Sequence, residues 1–341
     1  MVEPHSGQVK LDLGSDFLRE RKTNIVKSKM IILCVNVLLL GLFSLDLQAQ
    51  NEGAKTIRVM TFNLWRGGLN GGQPLEQSIK AIELAQADIV GLQETHHGDI
   101  DNGKKIAAKL GWHYFQQGGR TAVLSRYPIV GSTTRKWGVR IQLPSKTTLH
   151  FFNAHFPASP YQPYQILKIP YGDAPFISTS HQAVEWALKS RGAQVDSLLQ
   201  ELIPTLQAKE PVVLTGDFNE PSFQDWTQKA ADKKLVPLAV PYPTTKQISE
   251  AGMRDTYRTI HPDEIKERGH TWTNTTTPED PNDFHDRIDF VFVKNLTVQN
   301  AQVVGESTDN ADIVLTPWPS DHRGVVAKVA IALNDDSFSI D

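Results

Sequence analysis

From residue 56 onward, apolar positions fall into short runs broken by polar, glycine and proline stretches, and their spacing switches between two periods. Thr56–Phe62 (TIRVMTF) predicts a strand, and Pro74–Ala87 carries Leu75, Ile79, Ile82, Leu84 and Ala85 at the three-and-four spacing of a helix. Ile89–Gln93 predicts a short apolar strand ending at Glu94. Lys104–Leu110 predicts a helix with Gly111 as its C-cap. Strand-like runs follow over 112–116, 121–125, 128–134, 138–143 and 148–154. A long amphipathic helix spans about 181–206, opened by Thr179 or Ser180 as N-cap. Buried strands are then expected at Pro211–Thr215, Ile288–Val293, Thr297–Val304 and Val325–Ala332. Strands interleaved with helices in this way predict an α/β protein, a four-layer α/β sandwich of two packed mixed β-sheets with helices on the outer faces. Residues 156–178, rich in Pro and aromatics, predict a long loop, and a loop of that length is uncommon without a purpose.

The first 49 residues follow a different pattern. Lys27 and Lys29 precede an apolar run from Ile31 to Leu45, and Ala49 stands where a signal peptidase would cut. A run of roughly 15 is short for a membrane span, which needs about 20 apolar residues. Residues 1–49 are therefore expected to be a leader with an export signal, and 50–341 the catalytic domain. The alternatives are an uncleaved anchor over residues 31–47 and a buried core helix. The location expected is periplasmic or extracellular.

Of 341 residues, 40% are hydrophobic and 21% charged, which excludes a disordered or fibrous chain. Removing the leader takes away six Lys/Arg, five Asp/Glu and the one cysteine, Cys34; 292 residues remain, with 29 basic and 33 acidic side chains and a net charge of −4. No disulfide framework or thiolate metal site is possible in that part. Its acidic balance argues against holding nucleic acid chiefly by counterion release, although a bound cation can supply positive charge locally. No linker or repeat divides the chain, and one domain is expected.

Chemistry concentrates where strands end. Asn63 (TFNLW), Glu94 (GLQET), Asn153 and His155 (FFNAH), Asp217 and Asn219 (TGDFN), and Asp289 (RIDFVFV) all lie at or beside apolar strands, with Asp321 and His322 (PSDHR) just before one. Strand ends are where α/β sheets build sites. In TGDFN the two-residue spacing would put Asp217 and Asn219 on one side of an extended chain, with Phe218 turned into the core. A buried ionised carboxylate costs several kcal/mol unless compensated, so these acids are expensive as structure and sensible as chemistry.

Together these segments resemble the endonuclease/exonuclease/phosphatase superfamily of metal-dependent phosphoesterases, over about Ile57 to Ala332. The resemblance implies a DNase I-like fold. It also implies in-line attack of an activated water on a phosphodiester or phosphomonoester, with one or two Mg²⁺ (or Mn²⁺) ions. By position it makes Glu94 the principal metal ligand, Asn63 its orienting neighbour or a phosphate contact, and Asp321 an acid assigned to the metal or its water. Asp217 would position or deprotonate the water, and Asn219 would hydrogen-bond a phosphoryl oxygen. Asp289 and His322 would form a carboxylate–histidine pair, and His155 would donate to phosphoryl oxygen. His155 stands where apurinic endonucleases carry Tyr, which argues against a DNA-repair role.

The substrate is less legible. Tyr161, Tyr164, Tyr171 and Phe176 follow His155 and are placed to touch a base, a sugar or a lipid, or to pack as a Pro-stiffened lid. Arg120, Arg254 and Arg287 are candidate phosphate contacts. A small phosphoester or a lipid headgroup is favoured over DNA, no protein partner is inferred, and a monomer is expected. The alternatives are an extracellular nuclease and a non-catalytic binding module on the same fold. Gly98-x4-Gly103-Lys104-Lys105 nearly spells a P-loop but lacks the Ser/Thr that would hold Mg²⁺, and is read as a solvated loop. His96 and His97 are read as loop histidines. Trp272 divides evenly between core and site wall, and His285–Asp286 between substrate contact and strand cap.

Overall fold

The computed structural model describes residues 56–331. The leader and its cleavage or anchoring lie outside the described residues. Among those residues no helix is long and apolar enough to cross a membrane.

Thirteen of the fifteen strands pair into two sheets, as the sequence reading requires, and a short ribbon accounts for the other two. Strands β1 (Thr56–Asn63), β2 (Ile89–Gln93), β3 (His96–His97), β4 (Ile100–Asp101), β5 (His113–Gly118), β6 (Thr121–Ser125), β7 (Ile129–Ser132) and β8 (Gly138–Gln142) fill the first half. The second half holds β9 (Thr148–His155), β10 (Val212–Asp217), β11 (Arg254–Asp255), β12 (Asp289–Lys294), β13 (Leu296–Gly305), β14 (Ile313–Val314) and β15 (Gly324–Ile331). A seven-stranded mixed sheet runs β14-β13-β15-β1-β2-β6-β5, a six-stranded mixed sheet runs β11-β12-β10-β9-β8-β7, and β3 with β4 makes the ribbon.

Both faces of the central strands are buried, which is why they read as near-continuous apolar runs. In β1, Ile57 and Val59 enter the core between the sheets, while Met60 and Phe62 pack under the helices Leu75–Leu84 and Asn102–Leu110 through Ile79, Ile82 and Ile106. On the opposite side, Val195, Leu198 and Leu202 of the helix Ser180–Leu206 cover Phe152, Leu214, Phe290 and Phe292 of the second sheet. Helix, sheet, sheet and helix form the four layers. Thr179 is the N-cap of the long helix, closed by a full capping box with Gln182, and Gly111 caps the earlier helix in the left-handed conformation at φ 69°.

Three features depart from the expected pattern. The aromatic segment 156–178 contains a helical turn, Gln162–Leu167, and Arg191 of the long helix pins it. The fully buried Arg191 guanidinium donates to Gln162 Oε1 (2.6 Å) and Pro160 O (3.2 Å) and faces Glu220 at 3.8 Å. Short helices at Gln228–Asp232, Pro243–Glu250 and Thr256–Ile260 occupy a stretch with no sustained periodicity. Ala230 of the first packs in a separate small core around Trp226 and Tyr242, Ile248 of the second joins the core under the long helix, and Tyr257 of the third joins the core between the sheets. The sheets are also joined by polar groups. Asn153 is buried, accepts from Gln93 Nε2 (2.7 Å) and Thr215 Oγ1 (3.0 Å), and donates to Leu92 O (3.1 Å). Gly91 is required at this crossing, because a Cβ there would lie 2.1 Å from Thr215 Oγ1.

Candidate active site

Strand direction gathers the polar residues at one edge. Asn63, His155 and Asp217 close β1, β9 and β10, and Glu94 follows β2 directly. β12 and β15 run antiparallel to β10 and β1, so Asp289 at the start of β12 and His322 just before β15 arrive at the same end. The register sets Asp217 opposite His155 on one side and Asp289 on the other. Asn63 joins the two sheets there, its Nδ2 donating to Asp217 Oδ2 (2.9 Å) and Glu94 Oε1 (3.3 Å).

Asp217 is 1% exposed and accepts from Asn219 N (2.9 Å), Asn63 Nδ2 (2.9 Å) and Asn219 Nδ2 (3.2 Å). Its Oδ2 lies 3.5 Å from His155 Nε2 and 3.7 Å from His322 Nε2. His322 Nδ1 bonds Asp289 Oδ2 at 2.9 Å. Burial alone would favour the neutral imidazole, but Asp289 and Asp217 overcome it and push His322 up to about 10, so it is an imidazolium at neutral pH. Burial raises the Asp289 carboxyl against the pull of His322. Burial also lifts Asp321 to about 6; His322 opposes that shift, while Glu94 and Asp217 reinforce it.

The backbone around these groups is bent. Trp65, Arg66, Glu94, Arg120 and Asn219 have φ between 48° and 67°, and all five line one cleft of about 520 Å³. They are five of the eleven left-handed non-glycine residues among the described residues. Asn tolerates this conformation, whereas Trp, Glu and Arg adopt it at a cost of order 1–2 kcal/mol each. The turns aim their side chains at a common space that regular strand geometry would not reach. Arg66 N also donates to Glu94 Oε2 (2.9 Å), fixing that carboxylate from behind.

The Endonuclease/Exonuclease/phosphatase family profile matches residues 60–322, most of the chain. The chain belongs to the endonuclease/exonuclease/phosphatase family. A Caenorhabditis elegans protein described as uncharacterised is 28% identical over 300 residues, covering 80% of this chain and 90% of that one. Among solved structures, an endonuclease/exonuclease/phosphatase from Beutenbergia cavernae superposes with TM-score 0.51 at 17% identity, over 82% of this chain and 72% of that one. An AP endonuclease from Archaeoglobus fulgidus gives TM-score 0.51 at 17% identity, over 80% and 98%. These likenesses establish the DNase I-like fold. As an endonuclease/exonuclease/phosphatase family member, the protein is a hydrolase of phosphoester bonds, and the family is divalent-metal-dependent.

The residues fit such an ion. Asp321 Oδ1 is buried without a hydrogen-bond partner, and the Glu94 carboxylate, 29% exposed, opens into the same cleft. Both are hard oxygen donors of the kind Mg²⁺ and Mn²⁺ prefer. Asp217, Asp289 and His322 also offer donor atoms within 4.8 Å of one another. There, however, His322 Nδ1 is already committed to Asp289, so that trio is an acid–imidazole–acid row, and the open donors are Glu94 and Asp321.

The family-derived positions fall unevenly. Glu94, His155, Asp217, Asn219, Asp321 and His322 line the cleft, and Asp289 lies behind His322. Asn63 is fully buried, and its Oδ1 accepts from Trp65 N (2.9 Å) while its amide holds the two carboxylates; it orients Glu94 and is not itself an open ligand. Both amide hydrogens of Asn219 are donated, to Asp217 and to Phe156 O (3.0 Å), so the expected bond from its amide to a phosphoryl oxygen is pre-empted. Asn219 also leaves the extended conformation, while Phe218 does pack inward against Phe290 and Phe292.

Arg120, Tyr161 and Tyr164 line the cleft, but two of the three proposed arginines do not reach it. Arg287 is 2% exposed and gives its guanidinium to Asp225 (3.0 and 3.1 Å) and Asp255 (2.7 Å). Those acids outweigh burial and raise it further, making it a structural ion pair. Arg254 pairs with Val293 near the far end of β12 and donates to Leu296 O (2.6 Å). Trp272 is a cleft wall, its ring 5.0 Å from that of His322. Asp286 is buried and holds Tyr161 and Trp226. His96 and His97 sit in the ribbon, and the P-loop-like stretch leads into a helix capped by Asp101. Trp65 and Arg66 were missed by sequence reading; their only signal was a position two and three residues after Asn63, at the start of a glycine-rich turn.

Proposed function

We infer that this cleft hydrolyses a small phosphoester by in-line attack of water, with Mg²⁺ or Mn²⁺ held by Glu94 and Asp321. The observation that carries the reading is the Asp217 carboxylate, buried between two imidazoles at 3.5 and 3.7 Å and fixed by three hydrogen bonds. A carboxylate held so rigidly is suited to orient a water and accept its proton. His322, charged at neutral pH and anchored through Nδ1 to Asp289, directs its Nε2–H toward the cleft, where it stabilises negative charge on phosphoryl oxygen. His155, half-buried on the other side of Asp217, does the same. The divalent cation, when bound, supplies Lewis-acid neutralisation of the phosphoryl charge.

The chain's acidic balance supports a small ester, with a lipid headgroup as the other candidate, ahead of long DNA, and residues 27–49 support export of the enzyme. The test is a panel of bis(p-nitrophenyl) phosphate, p-nitrophenyl phosphate, sphingomyelin and plasmid DNA, with Mg²⁺, Mn²⁺ or EDTA, on wild type and Asp217→Asn. Ester hydrolysis that EDTA abolishes, and that Asp217→Asn slows by about 10²-fold or more, is expected. Full activity in EDTA or in the variant would overturn the mechanism, and plasmid nicking as fast as ester cleavage would make the enzyme a nuclease.

A further inference from the structure

The cleft has two chemically distinct halves. Glu94, Asp217, Asp321 and the two histidines form the charged half. The other is walled by Tyr161, Tyr164, Tyr171, Trp272 and Ile288. Three of these aromatics have polar ends tied into the protein. Tyr161 Oη donates to Asp286 Oδ2 (2.7 Å), Tyr164 Oη donates to Asp283, and Trp272 Nε1 donates to Asp283 Oδ1 and Tyr164 Oη (each 3.2 Å). The tyrosines pack edge to face in a row, Tyr161 on Tyr164 at 4.9 Å and Tyr164 on Tyr171 at 5.6 Å. Arg191 clamps the segment that carries them.

Tyr161, Tyr164 and Trp272 therefore present ordered ring carbon with their polar ends already spent, which leaves the Tyr171 phenol as the one hydroxyl of the wall not so tied. A hydroxyl-rich organic group such as inositol or glycerol would lose water against that ring carbon without replacement. A flat ring loses nothing and gains aromatic contact. The wall begins beside the reacting end, since Ile288 precedes Asp289 and the Trp272 ring lies 5.0 Å from the His322 ring.

We propose that the cleft selects phosphoesters whose retained ester oxygen, the one not displaced in the reaction, directly carries an aromatic, hydroxyl-poor ring, with the Tyr164–Tyr171–Trp272 wall as the selecting surface. This deepens, and rests on, the phosphoester hydrolysis inferred above. Tyr171 is the member to perturb, being 43% exposed and outside the ordered core.

Phenyl p-nitrophenyl phosphate and methyl p-nitrophenyl phosphate share a leaving group and differ only in the group that stays on phosphorus. Their kcat/KM ratio, corrected for uncatalysed reactivity, should exceed ten-fold in wild type. It should fall at least five-fold in Tyr171→Ala and persist in Tyr171→Phe, which keeps the ring. A wild-type ratio near one, an unchanged ratio in Tyr171→Ala, or a collapse in Tyr171→Phe would overturn the proposal. Preference for a thymidine 5′-(p-nitrophenyl) ester over the phenyl ester would overturn direct attachment. If neither ester is cleaved, the hydrolytic reading fails, and calorimetry decides the pocket separately. Phenylphosphonate binding ten-fold tighter than methylphosphonate supports the wall as selector, and equal binding refutes it.

Discussion

Asp286 offers a test of the aromatic wall's foundation that needs no substrate. It is 2% exposed, and its two oxygens accept from Trp226 Nε1 (2.9 Å) and Tyr161 Oη (2.7 Å). Burial pushes its carboxyl from 3.8 up to about 7, against the help of those two donors. An acid whose folded value is raised binds a proton in the folded state over a window where the unfolded chain has lost it. Stability contributed by this group therefore falls as pH rises from about 4 to about 7, and the penalty is constant above that. The full penalty is about 4 kcal/mol, and about 2.5 kcal/mol of it develops between pH 5 and pH 8. Asp286→Asn cannot ionise, so whatever it costs in altered hydrogen bonding to Tyr161 is the same at every pH. The stability of Asp286→Asn relative to wild type should rise by about 2.5 kcal/mol from pH 5 to pH 8. Urea unfolding followed by tryptophan fluorescence measures this, and all other titrating groups cancel in the difference. A difference constant to within about 0.5 kcal/mol across the range would refute the reasoning, because Asp286 would then be ionised throughout.

Two further outcomes follow from the site and its frame. Glu94→Gln should raise the Mg²⁺ or Mn²⁺ concentration for half-maximal activity by roughly ten-fold or more as well as slow turnover; an unchanged metal titration would remove Glu94 from the ligand set. Arg287→Met leaves the buried Asp255 without its guanidinium and Asp225 with Arg258 alone, and should cost about 3–5 kcal/mol in unfolding free energy while KM at permissive temperature stays unchanged; a raised KM would return Arg287 to the substrate site.

The central strands were legible because they are buried on both faces, as Ile57 and Val59 against Met60 and Phe62 show. That Glu94, His155, Asp217, Asp321 and His322 share one cleft was legible because a carboxylate or imidazole at the end of such a strand has no cheaper reason to be there. What misled was side-chain direction. Arg287 is two residues from Asp289, yet it turns into a cluster with Asp225 and Asp255 whose members lie 30 and more residues apart in sequence. Asn63 and Asn219 were placed at the site, but how many of their hydrogen bonds were already spent depends on partners from other strands. The pocket's backbone was illegible for a different reason: Trp65, Arg66 and Glu94 take left-handed φ values that their own preferences oppose, so only tertiary contacts reveal them. The helices between 228 and 260 likewise owe their existence to single buried contacts, Ala230, Ile248 and Tyr257 in three different cores, more than to periodicity.

The alignment of β10 between its two neighbours has a consequence for how the protein is handled. Asp217 meets His155 and Asp289 only because six successive residue pairs on either side are in step. A slip by one position would still bury valines and phenylalanines on the wrong faces of a plausible sheet, and bulk optical signals would barely notice. The carboxylate, however, would turn away from both imidazoles. Turnover per milligram is therefore a proofreading signal for refolded or heated material, able to count correctly threaded molecules that circular dichroism cannot tell from their misaligned siblings.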